Sequence, residues 1–180
     1  MGIIITLFDK EKHMKKVILT ILLTLTIALQ AEVEKFTITD TEGKQFNITE
    51  SKDGLIFEEY KGKAIFLIIF GHNCPPCKAE IPEFVELAEK YKDKLQIIAI
   101  EQQKYSVEQL KIFKQENGIN YSLIAGKDYN DFIGYIADKA QWRGAIPFMI
   151  ALDKNGAVNL IKQGFIPKNT LEELIEKLTK

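Results

Sequence analysis

Residues 64–82 read AIFLIIFGHNCPPCKAEIP, and the way this stretch divides decides the fold. Ala64–Phe70 is a run of seven apolar residues. Such a run suits a strand buried on both faces, in a parallel or mixed sheet covered by helices. Gly71, His72 and Asn73 break the run and turn the chain. Cys74 then stands at the N-cap of a helix, with Pro75 and Pro76 in the first turn, where a missing N–H costs little. Ile81, Phe84, Val85, Ala88 and Tyr91 recur at helical spacing and give that helix one apolar face for the sheet. A strand that delivers a Cys-x-x-Cys pair to a helix start is a layout for thiol–disulfide chemistry. The positive end of the helix and its free N–H groups favour a thiolate at Cys74. Cys77, one turn on, is close enough to attack a mixed disulfide formed there.

Outward from this stretch the pattern alternates. Upstream, residues 36–39 and 46–49 are short β-prone pieces around the turn Asp40-Thr41-Glu42-Gly43-Lys44, an N-terminal β-hairpin. Residues 51–63 are polar and glycine-punctuated and lead into the central strand. Downstream, residues 95–100 (LQIIAI) form a second apolar strand and complete a β-α-β unit. Ser106 and Gln109 make a capping-box pattern for a helix running to about Asn117, with Gly118 placed to end it. A short strand over 121–125, a helix over 128–139 and a strand over 148–152 follow. The turn Asp153-Lys154-Asn155-Gly156 leads to a strand over 158–162, and an amphipathic helix over 170–178 closes the chain. The order predicts an α/β domain, a mixed central sheet flanked by helices.

The first residues read differently. Lys15 and Lys16 precede residues 17–29, an apolar run of 13 interrupted only by threonines, and Ala31 precedes the polar Glu32. Basic, apolar, small is the layout of a secretory signal peptide, here over residues 1–31. Met14 opens MKKVILTILL like a start of its own, which makes residues 1–13 a mis-assigned extension. The run is shorter than the roughly 20 residues of a spanning helix, and Leu29 is a mediocre residue three before the cut. An uncleaved membrane anchor is the alternative. A domain over residues 32–180 remains, which is 149 of the 180 residues and enough for a single core. The whole chain has 24 Lys+Arg against 25 Asp+Glu. Without Lys10, Lys12, Lys15, Lys16, Asp9 and Glu11, the domain has 20 against 23, with Arg143 as its sole arginine. Such a surface does not read phosphates, so nucleic acid is excluded as a partner.

Both cysteines lie within one four-residue motif. A bridge closing so short a loop constrains the unfolded chain by about 2 kcal/mol, against about 3 for a 15-residue loop. A core of this size does not need that staple, so the pair reads as chemical rather than structural.

The ordered set of these features resembles the thioredoxin superfamily, specifically the TlpA/ResA-type periplasmic thioredoxin-like proteins. It comprises the hairpin with Asp40 and Gly43, then Gly62-Lys63, and Cys74-Pro75-Pro76-Cys77 with Glu80 and Pro82 behind it. Ile146-Pro147, about 70 residues after the cysteines and before the Asp153–Gly156 turn, completes it. The resemblance covers nearly all of residues 34–180. It implies a thioredoxin fold in which Cys74 attacks, Cys77 resolves and Glu80 takes or gives a proton. Pro147 is implied to be a cis-proline that faces the disulfide and, with Ile146, presents backbone to an incoming substrate. His72 and Asn73, just before Cys74, are substrate-contact candidates of this chain's own; His72 reads either as an imidazolium that lowers the Cys74 thiol pKa or as a surface histidine of no consequence. No cofactor is implied beyond a redox-active Cys74–Cys77 disulfide. There are two departures. Many relatives have Trp before the first cysteine, where this chain has Asn73, and thioredoxins proper have a buried Asp where it has Ile68.

The function this implies is an exported, periplasmic thiol–disulfide oxidoreductase. It would be monomeric, reduce disulfides of other proteins (apocytochrome c among them) and be recharged by a membrane dithiol donor. A disulfide-forming oxidant is the alternative within the same class, since potentials of such motifs run from about −270 to about −120 mV. Two other classes stay open: a copper carrier using His72, Cys74 and Cys77, and a non-catalytic interaction domain on the same scaffold. Too few histidines are present for a zinc site, since His13 falls before the cleavage point.

Overall fold

The seven-residue apolar run is the middle of the molecule. A computed structural model gives the conformation of residues 33–180; the expected signal peptide lies outside the described residues. Strand β4 (Ala64–Phe70) is buried along its whole length. It pairs in parallel with β5 (Leu95–Glu101) and antiparallel with β7 (Phe148–Leu152). With β6 (Ser122–Ala125) and β8 (Val158–Gln163) at the edges, the five strands run in the order β6-β5-β4-β7-β8.

Alternation along β4 divides the core in two. Ala64, Phe66, Ile68 and Phe70 join the buried faces of helices α1 (Pro75–Lys90), α2 (Val107–Glu116) and α4 (Lys168–Leu178). Ile65, Leu67 and Ile69 join helix α3 (Asn130–Lys139) and a small antiparallel sheet. That sheet consists of β1 (Lys35–Thr39), β2 (Gln45–Ser51) and β3 (Gly54–Phe57). The fold is thioredoxin-like, with a mixed sheet between helices and an N-terminal hairpin.

The structure corrects the sequence reading in three places. Residues 51–63 are more than a polar lead-in, because β3 adds a third strand to the hairpin: Leu55 and Phe57 are buried while Gly54 and Ile56 are half-buried. Helix α3 starts at Asn130, after a 3-10 turn over Gly126–Asp128. Helix α4 starts at Lys168, directly after Pro167. Among the described residues no helix is long and apolar enough to cross a membrane.

Candidate active site

Three chain segments meet at one end of the sheet: the turn after β4, the turn after β5 and the loop before β7. In the β4–β7 ladder Ile69 lies opposite Phe148, so Pro147 enters beside the turn that carries the cysteines. The first turn, Gly71 to Cys74, closes with the Cys74 N–H donating to the Gly71 carbonyl at 3.3 Å. A Cβ at Gly71 would lie 2.5 Å from Gln103 Cδ and 2.8 Å from Ile146 Cδ1, so a larger residue would have to displace those side-chain ends. The neighbouring loops are therefore packed directly on this turn.

Cys74 is the N-cap of α1, and its Sγ accepts the Cys77 N–H at 3.3 Å. The two cysteines form a disulfide whose Cα atoms are 5.3 Å apart. Both cysteines are buried, Cys74 7 % exposed and Cys77 3 %. Pro75 and Pro76, both exposed, fill the first helical turn, where N–H groups have no intrahelical acceptor.

Glu80 follows Cys77 by three residues on the same face of α1 and is 3 % exposed. Burial pushes its carboxyl up to about 7; an N–H bond from Ile166 opposes the shift and the nearby Glu83 carboxylate adds to it. The Ile166 N–H reaches Glu80 Oε1 at 3.0 Å and ties the segment before α4 to the cysteine helix. Tyr121, also buried, has its phenol raised by burial first and by Glu80 second.

Residues 142–147 form a tight loop. The Trp142 indole N–H donates to the Ala145 carbonyl at 2.7 Å, and its ring stacks on Phe148. The Ile146–Pro147 peptide bond is cis. The Pro147 carbonyl accepts the Gly164 N–H at 2.8 Å. Among the described residues the Ile146 N–H and C=O make no hydrogen bond.

His72 is partly exposed and Asn73 exposed, both in the turn. Neither is loose. His72 Nδ1 lies 2.8 Å from Glu101 Oε1, and its ring stacks on Tyr105 with centroids 3.4 Å apart. The Asn73 N–H donates to Gln103 Oε1 at 2.7 Å. Sequence reasoning missed Glu101, Gln103 and Tyr105. Their one visible signal is a charged residue ending the apolar strand LQIIAIE, at the end of a parallel strand where ligands gather. Among the described residues no group of three or more His, Cys, Asp or Glu is arranged to hold a metal ion.

A mixed five-stranded sheet with a Cys-x-x-Cys helix start facing a cis-proline loop defines a thioredoxin-like protein. The chain belongs to the AhpC/TSA family, whose model matches residues 29–161. It is 30% identical over 151 residues to thiol-disulfide oxidoreductase ResA of Bacillus thuringiensis subsp. konkukian, covering 82% of this chain and 77% of the relative. ResA of Geobacillus kaustophilus is 26% identical over 155 residues, covering 84% and 79%. Among solved structures, a thiol:disulfide interchange protein of the thioredoxin family from Chlorobium tepidum superposes with a TM-score of 0.60 at 22% identity, over 84% of this chain and 99% of the other. The chain is a thiol–disulfide oxidoreductase of this type.

Proposed function

We propose that this protein reduces disulfides of exported proteins by dithiol exchange, with Cys74 as the attacking and Cys77 as the resolving thiol. The observation that carries the reading is the buried carboxyl of Glu80 one turn behind Cys77, with its titration brought up to about 7. A group that titrates near neutrality is suited to moving a proton at that pH.

The steps balance as follows. The Cys74 thiolate attacks a substrate disulfide, forming a Cys74–substrate disulfide and releasing the other substrate sulfur as a thiolate. Cys77 gives its proton to the Glu80 carboxylate and attacks Cys74 Sγ. The Cys74–Cys77 disulfide closes, and the second substrate sulfur leaves with the proton from Glu80 while the first takes one from water. A dithiol donor then supplies two electrons and two protons, one proton restoring the Cys77 thiol and the other returning to water, with Cys74 again a thiolate. Ile146 would pair its free backbone with the substrate chain while the Pro147 ring closes the site beside the disulfide. His72 and Asn73 lie on the same approach.

The basic, apolar, small layout of residues 1–31 supports export. Apocytochrome c as a substrate and a membrane dithiol as donor are proposed on the sequence resemblance to TlpA/ResA-type proteins alone. We take the working unit to be a monomer that needs no cofactor besides its disulfide.

A redox titration of the purified protein in dithiothreitol and glutathione buffers tests the direction. A midpoint near about −270 mV is expected; one near about −120 mV would make the protein an oxidant that inserts disulfides. Cys74→Ser should abolish exchange and Cys77→Ser should trap a mixed disulfide with substrate, visible by non-reducing electrophoresis. Turnover retained by Cys74→Ser would sink the mechanism.

A further inference from the structure

Glu101 ends β5 and is 0 % exposed, yet it is no core accident. Its carboxylate collects three N–H groups: Gln103 backbone on Oε1 at 2.7 Å, Tyr105 backbone on Oε2 at 2.9 Å, and His72 on Oε1 at 2.8 Å. Wrapping the chain around it puts Lys104 at φ +72°, in the left-handed region that a lysine avoids. The fold accepts that backbone and a buried carboxylate in one place, and buried acidic groups persist only when fully hydrogen-bonded.

Both carboxylate oxygens already accept a backbone N–H, so His72 meets Glu101 as a donor, with its proton on Nδ1. The stack on Tyr105 fixes the ring plane. Nε2 is then the free nitrogen of an imidazole held two residues before Cys74, inside the turn whose Cys74 N–H returns to Gly71. The same clamp grips the turn a second time through Asn73 N–H and Gln103. His72 lines an open cleft with Asn73, Tyr105, Lys78 and Glu116.

We propose that Glu101 is a positioning residue for the exchange reaction and acts through His72. It holds the imidazole by Nδ1–H so that Nε2 takes the proton that the Cys74 thiol releases, leaving a thiolate beside an imidazolium. The inference rests on the reading of Cys74 as the attacking thiol. The charged and titratable groups around His72 are Glu101, bonded to Nδ1, Tyr105, stacked on the ring, and Lys78 and Glu116, which line the same cleft. Glu80, whose Oε1 accepts the Ile166 N–H, handles the proton of Cys77 instead.

The sign of one substitution separates this from a plain field effect. Removing a buried negative charge near a thiol would by itself make the thiolate easier to form. Glu101→Gln leaves an oxygen for the His72 Nδ1–H but takes away the charge that stabilises the imidazolium, which makes it harder. The test is the pH profile of iodoacetamide alkylation of the reduced full chain, mapped to Cys74 by mass spectrometry, for Glu101→Gln, His72→Gln and the double variant. We expect both single variants to lower the alkylation rate at pH 7 by about tenfold, one pKa unit upward and the lower bound for losing an adjacent opposite charge. The double variant should be no worse than either.

Faster alkylation in Glu101→Gln overturns the proposal, as does a lowered melting temperature with an unmoved pH profile. Should Glu101→Gln fail to fold, His72→Gln decides alone, because that side chain is partly exposed: an unchanged profile overturns the inference and a tenfold loss supports it. Wild-type protein that exchanges normally while the variants match it removes only this inference. Wild-type protein that exchanges with no disulfide at all removes the reductase reading beneath it.

Discussion

At residue 80 a carboxyl group folds into an apolar surrounding one turn beyond a reactive sulfur, and burial raises its pKa from 4.5 to about 7. The folded state thus holds the Glu80 proton more tightly than the unfolded chain does. The stability this contributes is fully present below about pH 4.5 and is lost as pH rises through 7. Glu80→Gln keeps an acceptor for the Ile166 N–H but cannot ionise. Urea unfolding at a series of pH values should show wild type losing about 3 kcal/mol between pH 4.5 and 8.5 relative to the variant. Equal curves for the two proteins would mean that Glu80 ionises freely in the fold. The exchange rate of the variant should also lose the limb of its pH profile near 7. Spacing from Cys77 makes Glu80 legible in the sequence. Glu101 is not legible, because its meaning depends on β5 lying beside β4 and on a turn closing over its carboxylate, both of which are tertiary facts.

Among the elements, β4 carries the fold because its two faces are buried against different partners. Phe66, 0 % exposed, packs toward α1, α2 and α4; Leu67, also 0 % exposed, packs toward α3 and the small sheet. Truncating either leaves a cavity that neighbours fill only in part. Phe66→Ala should cost about 3–5 kcal/mol and Leu67→Ala about 2–5 in denaturant unfolding. A loss under 1 kcal/mol at either position would show that its side of the sheet can collapse. Ser106→Ala tests a smaller feature, the reciprocal cap in which Ser106 Oγ accepts the Gln109 N–H and the Gln109 side chain accepts the Ser106 N–H. Its loss should lower stability by about 1 kcal/mol. Both features are readable from residue types alone: a seven-residue apolar run has no polar face, and a Ser-x-x-Gln spacing has a local geometry. β3 is different. Four residues give two alternations, too few to separate a strand from a loop, and it forms because β2 and the β7–β8 turn supply partners, the Leu55 N–H donating to Gly156. The start of α4 is equally contextual, since Pro167 sets the first turn while the apolar repeat begins later, at Leu171.

For the molecule as a whole, the N-terminal sheet decides whether the site has a stable platform. Ile38, Phe46, Ile48, Leu55 and Phe57 are all at most 4 % exposed and form one cluster with Ile65, Leu67 and Ile69 of β4. At about 1.5–3 kcal/mol for each large side chain taken from water, these five contribute about 7–15 kcal/mol of burial. That equals the net stability of an ordinary domain, about 5–15 kcal/mol. The hairpin is therefore the cover of the second core, while the cysteines belong to the first. A chain trimmed to residues 62–180 retains Cys74, Cys77, Glu80, Pro147, Glu101 and every strand of the larger sheet, and on this account it should still fail. Circular dichroism on heating should show no cooperative transition, and a dye that binds exposed apolar surface should fluoresce at room temperature. A chain trimmed to residues 34–180 should unfold in one cooperative step. If the shorter chain instead melted cooperatively and kept the same disulfide midpoint potential, the five-stranded sheet and its helices would be self-sufficient, and the small sheet would have to be explained by something other than stability.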